Sequence, residues 1–244
     1  MIQNQSERTK QFSMSKEQQI LVRNYFINAY DDYLGARILL RNGLLQQGAI
    51  LANTAIEKYF KGIMTILNVP VLRKHDISIK KYENTLRSRF RKLHDFINFK
   101  FIKLLSQCYS LRYLDDLEDN FNITIIRLKT LAELDFTVGK IEENFKIGNI
   151  SNINKFEHDK INSVSELLDE NFYLKSIDKT NFIEQNDKIL EFRLMPNKET
   201  VHIYYLSDKI INDGQFIYEA LKPSQSNPEK EFTLNFIPTK ILTI

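Results

Sequence analysis

The chain has 244 residues, with 34 Lys and Arg against 31 Asp and Glu, for a formal net charge of +3. At 43% hydrophobic and 27% charged it reads as a soluble globular chain, and so small a basic excess does not by itself point to nucleic acid. Cys108 is the only cysteine, which excludes an internal disulfide framework and a cysteine-rich metal site. The polar opening MIQNQSERTK has no apolar leader core, and no run approaches the roughly 18 apolar residues of a membrane span, so the expected location is the cytoplasm.

Residues 1–14 are polar and read as a loose N-terminal segment. Ser15 followed by Gln18 is a capping box, in which each side chain satisfies the other's backbone N–H. Beyond it Ile20, Val22, Tyr25, Phe26, Ala29, Tyr33, Ala36, Leu39 and Leu40 recur at helical spacing, and Asn42-Gly43 is a stop, since glycine tolerates the left-handed cap. A second helix runs from about Leu45 to Leu67. It carries AILANTAIEKYFKGI, in which Ala49, Ala52 and Ala55 give one thin face suited to close helix packing. Glu57 and Lys61 stand four apart, the favourable order for a helical ion pair, so a structural role for the Glu57, Lys58 and Lys61 cluster stays open beside a functional one.

After Pro70, Asp76 is a candidate N-cap for a short third helix. Residues 80–94 read KKYENTLRSRFRKLH, a strongly basic stretch. A fourth helix is expected from about Asp95 to Leu117 and a fifth from about Thr124 to Phe145. Near residue 150 the pattern shifts to short apolar or alternating runs: FYLKSI, KILEFRLM, TVHIYYLS and EFTLNFIPTKILTI. These suit strands, with Pro196-Asn197 and Asn212-Asp213-Gly214 as turn signals. The expected fold class is α+β, with a five-helix bundle over 15–148 followed by a small antiparallel β-rich region over 149–244.

The helical half holds an ordered set of motifs: AYDDYLGARILLRNG, then AILANTAIEKYFKGI, then KHDI, then YSLRYLDD. This order resembles the HEPN family of small helical bundles. The matching positions are Asp32, Ala36, Leu39, Leu40, Gly43, Ala49, Ala55, Glu57, Lys58, Lys61, His75, Asp76, Tyr109, Arg112 and Tyr113, within residues 20–145. The resemblance implies a homodimer with Glu57, Lys58 and Lys61 near a cleft or dimer surface. It implies an RNA-directed module of toxin or defence type, in some members a metal-independent ribonuclease. Other members are non-catalytic nucleotide-binding or interaction modules that accompany a nucleotidyltransferase or antitoxin partner.

Ribonuclease members carry an Arg and a His separated by four to six residues. Histidine exchanges protons near neutral pH, and arginine forks onto phosphate oxygens. Here Arg89 and His94 have four residues between them, and Arg87 and His94 have six. Both pairs lie before the fourth helix, whereas the segment from Arg112 to Glu118 holds no histidine. His94, Arg89 and His75 are therefore the catalytic candidates, and Arg112, Tyr113, Glu57, Lys58, Lys61, Arg87 and Arg91 the binding candidates. The basic run, with Tyr82 and Phe90 interleaved, suits either an RNA backbone with stacked bases or a solvated face. No Walker loop, Rossmann glycine pattern, nucleophile elbow or HExxH motif occurs. Asp31-Asp32 and Asp115-Asp116 are acidic pairs that could hold a hard cation, but such pairs are more often solvated or paired with arginines, and neither a metal nor a cofactor is expected.

Overall fold

The Ser15–Gln18 capping box forms as the sequence implies, and from it rises α1 (Lys16–Arg41). The computed structural model describes residues 14–71, 76–78, 80–118, 121–145, 154–183, 185, 187–195 and 198–207. At the end of α1, Gly43 takes φ 83°, and the Leu44 N–H donates back to the Leu39 carbonyl at 2.9 Å. That closes the last turn, satisfies its carbonyls and reverses the chain into α2 (Leu45–Ile66). The two helices run antiparallel. Ala49, Ala52 and Ala55 are fully buried on the seam, as the thin face implies.

Beyond α2 the elements are shorter than the sequence suggests. Asp76 does not cap a helix. Its carboxylate accepts from the Ser78 N–H at 2.9 Å, a local turn, and α3 begins later (Lys80–Arg89). A break at Phe90, φ −142° and ψ 55°, separates α3 from α4 (Arg91–Phe96). The expected fourth helix starts at Phe99 as α5 (Phe99–Ser110), with Asn98 accepting from the Lys100 and Phe101 N–H groups. A 3₁₀ turn (Leu114–Asp116) follows.

The expected fifth helix is corrected at its start. Residues Asn122–Ile126 form strand β1, and α6 follows without a gap (Arg127–Asn144). Five residues of which four are β-branched favour the pleated surface of a sheet. The run FYLKSI is also corrected: residues 172–176 are turns, not strand. That stretch sits in a strap of short helices, α7 (Lys155–Ile161), α8 (Ser165–Leu168) and α9 (Lys179–Ile183). The strands expected at KILEFRLM and TVHIYYLS are present as β2 (Asp187–Leu194) and β3 (Thr200–Ser207). Pro196-Asn197, Asn212-Asp213-Gly214 and EFTLNFIPTKILTI lie outside the described residues.

The sheet is antiparallel in the order β1-β2-β3, with Ile125 opposite Leu190 and Leu190 opposite Tyr204. Ile123, Ile125, Leu190, Phe192 and Leu194 turn inward to the core that the helices share. The chain is thus a mixed helix and strand protein, mostly helical among the described residues. Its sheet joins β1 from before residue 148 to two strands from after it.

The strap is fastened by buried polar groups. Tyr30, Tyr33 and Arg37 lie on one face of α1. The Tyr30 hydroxyl donates to Asp159 at 2.9 Å, and the Tyr33 hydroxyl to Asp135 at 2.8 Å. Arg37 is fully buried. It donates to the Asp135 carboxylate, to the Glu166 carbonyl at 2.9 Å and to the Asp169 carbonyl. A charge taken out of water is tolerated only when its bonds are met in this way. Arg41 adds an ion pair to Asp169 at 2.9 Å, and Arg127 one to Glu170 at 3.0 Å.

Candidate functional site

The break at Phe90 folds α4 back on α3 and brings Arg87 to His94. Arg87 Nε donates to His94 Nε2 at 3.4 Å, and His94 Nδ1 lies 3.0 Å from Asp95 Oδ1. The two contacts agree on one tautomer, with Nδ1 carrying the proton toward the carboxylate and Nε2 presenting a lone pair. Phe99 packs on the imidazole, ring centroids 5.1 Å apart, and Glu83 accepts from Arg87 at 2.5 Å. The His94 side chain is 16% exposed and that of Arg87 57%, so the base is sheltered while the guanidinium faces solvent. A held imidazole beside an exposed guanidinium is an arrangement that can take a proton and grip a phosphate.

Of the two arginines with suitable spacing, the structure therefore brings Arg87 and not Arg89 to the histidine. Arg89 is turned to the end of α2, where it donates to the Leu67 carbonyl at 3.1 Å. Arg91 is 83% exposed, with Asp95 at 3.7 Å. His75 lies outside the described residues, as do Arg73 and Lys74. Residues 80–103 carry eight Lys and Arg against two acids, Glu83 and Asp95, in a chain of net charge only +3. The positive charge is concentrated on α3, α4 and α5.

A second group gathers where α2 meets α5. Glu57 is buried and paired with Lys61 on the next turn. Burial first, and then the Glu57 charge, push the Tyr82 phenol up to about 12. The Tyr109 phenol is also raised, first by burial and then by its hydrogen bond with Tyr113, with Arg112 opposing and Glu57 adding to the rise. Arg112 donates to the Tyr109 hydroxyl at 3.1 Å and lies over the rings of Tyr109 at 5.1 Å and Tyr113 at 6.0 Å. Asp76 joins this side through Ser106, whose hydroxyl donates to it at 2.6 Å. Lys58 points elsewhere, to Asp32 on α1 at 2.6 Å. It is a strut between α1 and α2 and does not share the Glu57–Lys61 pair.

Sequence reasoning missed Asp95, Glu83 and Phe99 as the frame of His94. The signal available was a carboxylate directly after the histidine and another one helical turn before Arg87. A cavity of about 370 Å³ opens elsewhere, between α1 and α8, lined by Ile38, Arg41, Asn42, Ser165, Glu166, Asp169 and Glu170. None of the catalytic or binding candidates lines it. Among the described residues no three His, Cys, Asp or Glu side chains converge as metal ligands do, and no helix is long and apolar enough to cross a membrane. Compared with known proteins, the chain matches no family model, no curated protein and no solved structure.

Proposed function

We propose that the chain is an RNA-directed module of HEPN type and acts as a metal-independent endoribonuclease through His94 and Arg87. The observation that carries this reading is the 3.4 Å contact between Arg87 Nε and His94 Nε2, with Asp95 on the far nitrogen. In the proposed reaction His94 Nε2 takes the 2′-hydroxyl proton, O2′ bonds to phosphorus and the P–O5′ bond breaks. Arg87 leaves both Glu83 and His94 Nε2, which frees the imidazole lone pair for that proton, and holds the non-bridging oxygens as charge builds on the phosphorane. The departing O5′ takes its proton from a protonated histidine, supplied by His94 of a second copy in a homodimer. The cations concentrated over 80–103 would track the RNA backbone, which makes binding fall steeply with salt.

The test is incubation of a labelled mixed-sequence RNA with the purified protein in EDTA. The expected products carry a 2′,3′-cyclic phosphate and a 5′-hydroxyl, and His94→Ala yields neither. Intact RNA with folded wild-type protein would refute the reading.

A second reading has its own observation, the stacking of Arg112 across Tyr109 and Tyr113 beside the Glu57–Lys61 pair. In it the module is non-catalytic and binds a nucleotide, or a nucleotidyltransferase or antitoxin partner, on that surface. Calorimetric titration with nucleotides separates the two. Binding that is lost in Arg112→Ala and kept in His94→Ala favours this second reading.

A further inference from the structure

Lys140 stands at a joint between three parts of the molecule. Its ammonium lies 4.9 Å from the ring centroid of Phe96, 5.6 Å from that of Phe136 and 5.1 Å from that of Tyr173. Phe96 is the last residue of α4, Phe136 lies one turn before Lys140 on α6, and Tyr173 belongs to the strap. Glu143 closes the cage, one carboxylate oxygen 3.2 Å from the ammonium and the other accepting from the Tyr173 hydroxyl. Burial would lower the ammonium's pKa, but the Tyr173 and Glu143 contacts outweigh it and raise it, so the cation is kept. A cation held against several ring faces is attracted by each ring's quadrupole.

The chain is shaped for this joint. At Gly139 an added Cβ would stand 2.3 Å from Tyr173 Cε1, so only glycine lets the ring come in beside Lys140. The joint matters because of what α4 is. Six residues are too few for a helix to hold itself in water, and tertiary contacts must set its position. Leu93 anchors α4 in the core, and Phe96 anchors its other end in the cage. His94 and Asp95 lie between the two anchors.

We propose that Lys140 is a positioning residue for His94, and that through Tyr173 the C-terminal strap governs the geometry of the His94–Arg87 pair. The consequence for catalysis rests on the ribonuclease reading above; the positioning itself does not. Lys140 touches no reacting group. It acts by holding Phe96, so its loss displaces the imidazole relative to Arg87 and spares the exposed cations that bind the RNA backbone.

The experiment follows the ring nitrogens of His94 by NMR in histidine-labelled full-length protein, beside the rate of RNA cleavage. Lys140→Met removes the charge and keeps the stem; Lys140→Arg keeps a cation for the rings. Lys140→Met is expected to move the His94 signals and to lower kcat about tenfold, with KM held within about twofold. Lys140→Arg is expected to restore both. Phe96→Leu opens the cage without touching α6 and is expected to repeat the Lys140→Met shift. His94 signals that match wild type in both Lys140→Met and Phe96→Leu would overturn the proposal, as would a shift in Lys140→Arg as large as in Lys140→Met. RNA left intact by wild type while the His94 signals move and recover as described would end the ribonuclease reading and leave the positioning standing. Cleavage by wild type with His94 unmoved in the variants would do the reverse.

Discussion

Arg37 and Arg87 are the same residue in opposite circumstances. Arg37 is sealed between α1, α6 and the strap, and its donors are committed to Asp135 and to two backbone carbonyls. Arg87 is more than half exposed and holds Glu83 and His94 from the edge of α3. The comparison separates what charge does inside a fold from what it does on its surface. The interior cation fixes where the strap lies and has no capacity left for a ligand. The surface cation has partners that a phosphate can displace. Charged residues near a candidate site should therefore be sorted by what their bonds already do before any is given a chemical role.

The interior half of the comparison is broken most severely by Arg37→Met. It leaves the Asp135 carboxylate and two strap carbonyls buried without their donor, and the expected loss is about 3–5 kcal/mol in urea unfolding. Arg87→Ala should cost little stability, because an exposed helical ion pair contributes about 0.3–0.5 kcal/mol. Equal losses in the two variants would erase the distinction.

Glu142 gives the next effect. It is buried on α6, accepting from the Tyr59 hydroxyl at 2.5 Å and from the Asn154 amide at 3.1 Å. Burial raises its carboxyl from 4.5 to about 7, with the Tyr59 hydrogen bond opposing and Glu157 adding to the rise. The native state then holds this proton more tightly than the unfolded chain. Its contribution is complete below pH 4.5 and is lost as pH rises through about 7, to a total of about 3 kcal/mol. Urea midpoints from pH 5 to 8 should fall with this slope in wild type, and the slope should flatten in Glu142→Gln. An unchanged slope in Glu142→Gln would assign the pH dependence to another group.

A smaller effect is expected at the joint between the two regions. Gly139→Ala forces the Tyr173 ring away from α6 and should cost about 1–3 kcal/mol, read as a lowered thermal midpoint. Arg91→Ala, at the exposed extreme, should leave unfolding unchanged and weaken RNA binding only through one lost phosphate contact, seen as a shallower salt dependence.

The same contrast explains what the sequence disclosed. α1 and α2 were legible because their signals are local: a capping box, helical spacing, and Asn42-Gly43 at the stop. β1 was not, since NITII runs straight into α6 and its partner β2 lies more than sixty residues on. The FYLKSI run misleads because Phe172 is buried and Tyr173 half-buried there by turns packed on α6, not by a pleated strand. Arg37 gave no warning either. An arginine in a polar helix reads as solvated, and its partners stand 98 to 132 positions away in sequence. The Arg87–His94 pair was visible by spacing alone, but the choice between Arg87 and Arg89 needed the break at Phe90. Alternate sides of one helix separate them, one facing His94 and the other the end of α2.

That choice is also where the account is most directly tested. Single-turnover cleavage of one labelled RNA in EDTA should be measured for wild type, Arg87→Ala and Arg89→Ala, each shown to be folded. Arg87→Ala is predicted to lose about 100-fold in rate, the scale of a lost charge-stabilising donor, while Arg89→Ala stays close to wild type. A larger loss in Arg89→Ala, or cleavage untouched by Arg87→Ala, would contradict the assignment of Arg87 and His94 as the working pair.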